Sequence, residues 1–302
     1  MRNPFSLLLG NPVVLKELRG RMRGPRAFIV LTGFLGLVGG FTILLYMGQS
    51  AVSSNSNSQV DGGAIGRALF AGVVGIELFL VTFIAPAFTA GAISGERERQ
   101  TYDLLRTTLL PEAQLVVGKL FSALAYIFLL LLSAIPLQSL SFILGGTDLP
   151  DMGIAIVTLF VTAIFLGNVG VYFSARTHRT LPASIATYGV ALGVVIGTIL
   201  LLGIFVGISN QILRGGTVAE STEWAILIAR GMLVCLNPAA TLQVTRDYLV
   251  SQQNPWTFEY TFTSGNTTTL PSPWLVFTAM YLFLSLIFFG LTTRQIRQVD
   301  EI

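Results

Sequence analysis

Six apolar runs, each long enough to cross a bilayer as a helix, divide this chain and leave little else to fold. A spanning helix needs about 20 mostly apolar residues, and runs of that length lie at about 27–47, 68–93, 120–144, 154–174, 183–208 and 274–293. The segments between them are too short and scattered for a second domain, so residues 1–302 read as one all-α integral membrane domain. Charged residues make up 11% of the chain, against about 25% in soluble domains. Gly36, Pro86, Pro136 and Gly193 lie inside the runs; they would argue against helices in water but are tolerated in lipid. The first run spans about 21 residues, too long for the roughly 7–15 of a signal-peptide core, and stands as the first span.

Lysine and arginine concentrate on the cytoplasmic side of membrane proteins. With a cytoplasmic N-terminus, the inner segments hold Arg2, Lys16, Arg19, Arg21, Arg23, Arg26, Arg97, Arg99, Arg106, Lys119, Arg176, Arg179, Arg294 and Arg297. That is 14 of the 18 basic residues, leaving Arg67, Arg214, Arg230 and Arg246 outside. Both termini are therefore expected in the cytoplasm, with the chain multi-pass in the cytoplasmic (inner) membrane. The positive net charge describes topology, and no basic-aromatic patch points to nucleic acid. The lone Cys235 excludes an internal disulfide.

Residues 48–66 are polar and small, as an outer loop would be. The outer segment 209–273 contains "WAILIARGMLVCL", Trp224 to Leu236, which is short for a span and is interrupted by Arg230. It is expected to form a re-entrant or interfacial hairpin, and "NPWTFEYTFTSGNTTTLPSP" after it an ordered outer loop. Before the first span, Asn11 can cap a helix starting at Pro12. Val14, Leu15, Leu18 and Met22 then share one face and the charges the other, the pattern of a helix lying in the inner interface.

The stretch "AISGERERQTYDLLRTTLLPEAQLVVGK", Ala92 to Lys119, links the second and third spans and crowds charge into one short segment. Glu96 and Arg99 stand three apart, neighbours on a helix surface. Thr101 can cap a second short helix with Asp103 in its first turn, where a carboxylate suits the helix dipole. Tyr102, Leu105 and Leu109 share an apolar face of that helix, with Leu104 adjacent, and Pro111 starts the next one. A short amphipathic cytoplasmic helix tied to two spans can dock in the groove of a soluble partner and carry its motion into the membrane.

This stretch resembles the coupling-helix segment of ABC-2 type transporter permeases. Glu96-Arg97-Glu98, Thr101, Asp103-Leu104-Leu105, Thr107-Thr108 and Gly118-Lys119 match that pattern. Gln100 stands where glycine is usual in the family, and the proline is delayed to Pro111. The resemblance implies an export system in which two permease chains, identical or different, form a transmembrane dimer in the lipid bilayer. Two cytosolic ABC ATPase subunits, carrying ATP and Mg, would drive it. The resemblance also places the ATPase-coupling interface on Glu96, Arg97, Glu98, Thr101, Tyr102, Asp103, Leu104 and Leu105, with Tyr102, Leu104 and Leu105 as anchors. No G-x-x-x-x-G-K-[ST] occurs in the chain, so it carries no such nucleotide site, no cofactor is expected on it, and it is not expected to be an enzyme.

Other residues invite separate readings. Glu77 lies inside the second run, where a central carboxylate costs at least about 2.5 kcal/mol. It is read as a polar site facing water, a substrate path or a partner chain. Gly189, Gly193 and Gly197 repeat every fourth residue and permit close helix approach, read first as packing within the chain and second as a dimer seam. An intramembrane serine enzyme would need Ser94 beside the lone His178, and a non-transporting scaffold would use the same loop to recruit a protein. The spans show no ring of charge that names a substrate, so lipid, peptide, drug and polysaccharide all stay compatible.

Overall fold

Asp148 and Asp151 open the helix around which the others pack. The backbone N–H of Asp148 donates to Asp151 Oδ2 at 3.2 Å, closing the first turn of α5 (Leu149–Arg176), with Pro150 at the helix start, where a missing N–H does no harm. A computed structural model describes residues 25–55, 62–102, 112–214 and 219–299. The expected interfacial helix at Asn11–Arg23 lies outside them.

Six described helices are long and apolar enough to cross a membrane. They are α1 (Pro25–Asn55), α2 (Gly62–Thr89), which runs on into the short α3 (Ser94–Glu98), α4 (Glu112–Ile143), α5, the pair α6 (Thr180–Leu192) and α7 (Thr198–Arg214), and α10 (Pro273–Val299). Between α6 and α7, Gly193–Gly197 form one wider π turn. Pro86 and Pro136 sit inside continuous helices, as a bilayer allows.

The core lies where α2, α4, α5 and α10 meet, built from Phe70, Leu78, Val81, Leu159, Phe165, Leu166, Phe277 and Tyr281. A second cluster, with Phe34, Val38, Val73, Tyr126 and Leu130, holds α1 against α2 and α4. Backbone meets backbone where α2 starts, because a Cβ on Gly66 would stand 2.8 Å from the Gly146 Cα. Only glycine permits that approach. The outer faces of α1 and α7 stay exposed and apolar, with Ile29, Leu44, Leu200 and Ile204 among them.

The segment between the fifth and sixth spans holds α8 (Glu220–Leu236), α9 (Pro238–Gln252) and a hairpin of β1 (Thr257–Thr261) and β2 (Thr267–Pro271). The strands are antiparallel, with Phe258 opposite Leu270, and Gly265 takes φ +85° in the turn. The two strands are an addition to the all-helical expectation. Their alternating threonines and aromatics around Ser264-Gly265 are strand and turn signals in a segment read as a loop. Glu223 pins the hairpin to α8, accepting from the Thr263 N–H at 3.2 Å and the Thr263 hydroxyl at 2.9 Å.

Candidate functional site at the junction of the second and third spans

Residues 90–102 leave α2 and turn beneath the helix bundle. Ser174 of α5 fixes the turn, its Oγ accepting from the backbone N–H groups of Ile93 at 2.8 Å and Ser94 at 2.9 Å. Ser94 is fully buried, its hydroxyl 3.1 Å from the Ala90 carbonyl and 3.2 Å from Ser174 Oγ. His178 is exposed. The structure does not assemble the Ser–His pair of the enzyme reading; Ser94 is a small residue packed at a helix end.

Three consecutive charges then tie to three different spans. Glu96 Oε1 accepts from Lys119 Nζ of α4 at 2.9 Å, and its other oxygen accepts from the Thr101 hydroxyl. Arg97 Nη1 donates to the Ala175 carbonyl of α5 at 2.9 Å, where a helix end leaves carbonyls without intrahelical donors. The same guanidinium lies 4.9 Å from the Tyr102 ring centroid. Glu98 accepts from the N–H and the hydroxyl of Thr180 at 2.8 and 3.1 Å. Thr180 opens α6, so the carboxylate sits at the positive end of that helix dipole.

The end of α3 explains the residue at position 100. The Gln100 N–H donates to the Arg97 carbonyl and the Thr101 N–H to the Glu96 carbonyl, both at 3.0 Å. These two bonds make a Schellman end, whose residue after the cap takes the left-handed conformation. Gln100 has φ +57°. Glycine reaches that φ without strain, which gives a physical reason for the glycine usual there in the resembling pattern.

The expected interface residues therefore divide. Glu98, Arg99 and Gln100 are exposed. Tyr102 is not the exposed anchor expected: it is buried with Ile93, Leu115, Val116, Val171 and Ile296. The Thr101 hydroxyl turns back onto Glu96. Asp103, Leu104 and Leu105 lie outside the described residues. Ser174 and Thr180 carry no motif, and their part was not readable from the sequence.

Glu77 is corrected too. It is 0% exposed, inside this chain between α2, α4 and α5, and accepts from Gln138 Nε2 at 2.6 Å. Glu77 Oε1 and Gln138 Oε1 are buried and meet no donor among the described residues. It faces neither water nor a partner, because Leu131, Ile135, Leu159 and Phe160 enclose the pair.

The glycine stripe is a third correction. A Cβ on Gly189, Gly193 or Gly197 would meet nothing within 4 Å among the described residues, so these glycines do not pack against another described helix. The π turn at Gly193–Gly197 is instead clasped from its other side by Asn237, which is fully buried. Its Nδ2 reaches the carbonyls of Val194 at 3.2 Å and Val195 at 2.7 Å, while its Oδ1 caps α9 by accepting from the Ala240 N–H at 2.9 Å. The turn between α8 and α9 thus meets the middle of the fifth span. Asn237-Pro238 in the sequence signals a helix start, but not this second partner.

No curated protein matches the chain. A family model does, that of the ABC-2 family transporter proteins, over residues 12–292. That match covers the first five spans, the junction between the second and third and most of the sixth span, and with the six apolar helices it makes this multi-pass membrane protein a member of the ABC-2 transporter family.

Proposed function

We propose that this chain is the permease subunit of an ATP-driven exporter, in which a separate cytosolic ABC ATPase supplies the energy and a second permease chain completes the pathway. The observation that carries this is the triple fixing of Glu96, Arg97 and Glu98 to α4, α5 and α6. A lever transmits force only if it is stiff where it joins the load, and ATP-driven closure shifts the permease only if its contacts differ between inward-open and outward-open states.

In this reading the junction faces the cytoplasm, consistent with Arg97, Arg99, Arg176, Arg179, Arg294 and Arg297 lying at that end of the bundle. Both termini are then cytoplasmic, and the α8–α9 hairpin enters from the outer side. Glu98, Arg99, Asp103, Leu104 and Leu105 meet the ATPase, with the leucines as anchors and the charges setting orientation. Tyr102 and Glu96 hold the lever in place. ATP and Mg are bound by the partner, and the substrate moves outward.

The test is affinity purification from native membranes in mild detergent, followed by mass spectrometry and an ATPase assay. A stoichiometric nucleotide-binding subunit, lost in Leu105→Asp while the permease still inserts, is the expected result. Undiminished binding and normal coupling in Leu105→Asp would remove the assignment of that helix. Isolation of this chain alone from several detergents would overturn the coupling reading as a whole.

A further inference from the structure

At the end of the bundle opposite the junction, α2, α5 and α9 enclose a cleft of about 610 Å³. Its upper and lower parts differ in chemistry. At the top, Arg246 of α9 donates through Nη1 to the Arg67 carbonyl at 3.0 Å and lies 5.3 Å from the Phe70 ring centroid. Its Nη2 is buried and meets no acceptor among the described residues. A buried charged donor without an acceptor is costly, more so than a neutral one. Burial pulls the Arg246 guanidinium below its ordinary value, with Asp151 the main opposing charge.

Below this rim the wall is apolar. Ala71, Val74, Gly75 and Leu78 follow one face of α2 down from Arg67. From Arg67 to Leu78 is a drop of about 16 Å at 1.5 Å per residue, roughly half the hydrocarbon thickness. The slot is open because Ala71 and Gly75 are small and exposed, and a Cβ on Gly75 would meet nothing within 4 Å.

A cation at headgroup level above an apolar slot of one-leaflet depth fits one class of molecule. We propose that the cleft holds a single phospholipid of the leaflet on that face, its phosphate accepting from Arg246 and one acyl chain lying along Ala71, Gly75 and Leu78. Arg246 lines the cleft, and a planar guanidinium matches a phosphate better than an ammonium would. Arg67 and Arg246 are offset by Asp151 and the exposed Asp247 on the same lining, so the four charges cancel. The site therefore favours a zwitterionic headgroup, phosphate toward Arg246 and ammonium toward Asp247, over one with net negative charge. This inference is independent of the coupling assignment, which concerns the other end of the bundle.

The full-length protein is purified in detergent, stripped of lipid, and titrated with phosphatidylethanolamine or phosphatidylglycerol while bound lipid is counted by native mass spectrometry. One phosphatidylethanolamine per chain is expected, bound more tightly than phosphatidylglycerol. Arg246→Met and Gly75→Leu should each weaken it by on the order of ten-fold. Gly75→Leu fills the slot without touching a charge, and Gly40→Leu, on open surface of α1, should change nothing. Equal binding in wild type and in both cleft variants would overturn the proposal, as would tighter binding of phosphatidylglycerol. So would a wild type that retains no lipid but forms a dimer lost in Gly75→Leu, which would make the face a seam between two copies.

Discussion

Lys119 Nζ lies 2.9 Å from Glu96 Oε1, so the cation leading into the third span neutralises the first acid after the second. The lysine side chain is 5% exposed and the glutamate 29%. Water therefore reaches one partner and hardly the other.

That asymmetry sets the first prediction. Glu96→Ala takes the carboxylate away from a buried ammonium, and loss of one partner of a buried pair costs up to about 3–5 kcal/mol, less where water or another group reaches it. Lys119→Met leaves a carboxylate that can turn to solvent, so it should destabilise less. Glu96→Ala with Lys119→Met should recover part of the loss. Thermal unfolding of the four proteins in one detergent checks the order and the coupling.

Gln100→Gly should stabilise the junction. A non-glycine residue in the left-handed region costs about 1–2 kcal/mol relative to the right-handed one, and glycine does not bear that strain. Glycine is also freer in the unfolded chain, so the expected net gain is about 0.5–1 kcal/mol, read as a rise in melting temperature. Gln100→Val should lower it.

For Asn237, the informative comparison is between two replacements. Asn237→Asp retains the oxygen that caps α9 but removes the donor to Val194 and Val195 and sets a carboxylate against their carbonyls. Asn237→Ser retains a cap without that repulsion. Each replacement leaves buried groups unpaired, at about 1–3 kcal/mol, and Asn237→Asp, which adds the repulsion, should be the worse of the two. Hydrogen exchange at Thr198 and Ile199 should accelerate in Asn237→Asp; unchanged exchange would show that the clasp does not hold the π turn.

Glu77 and Gln138 form a pair whose removal should be cheaper together than singly. Glu77→Leu alone leaves the Gln138 amide unpaired and costs about 1–3 kcal/mol, whereas Glu77→Leu with Gln138→Leu replaces both by apolar groups and approaches neutrality. Transport activity separates structure from function here: a stable double variant that still transports would assign the pair to packing alone.

The six spans were legible because a bilayer leaves few alternatives to long apolar helices, and Trp224 to Leu236 was legible as a short helix stopped at Asn237-Pro238. What escaped depends on partners far apart in the chain. Glu77 lies in an apolar run whichever way it points, and only Gln138, 61 positions later, makes it internal. Tyr102 shares an apolar face with its neighbours either in a partner's groove or in the chain's own core, and periodicity does not tell these apart. The glycine stripe shows that a face can be smooth, not what it meets. At position 100 the residue type pointed away from the answer, since glutamine gives no hint of the left-handed turn that the bond from Thr101 to Glu96 requires.

Tyr102 and Ile296 share one buried cluster although about two thirds of the chain separates them. The ribosome releases Tyr102 long before it makes Ile296, and the membrane helices between them must be inserted first. Until α10 arrives, the floor of the junction is missing its last apolar side chain and Tyr102 is open on that side. The burial of Tyr102 is therefore a late event in folding, complete only once α10 has joined the bundle.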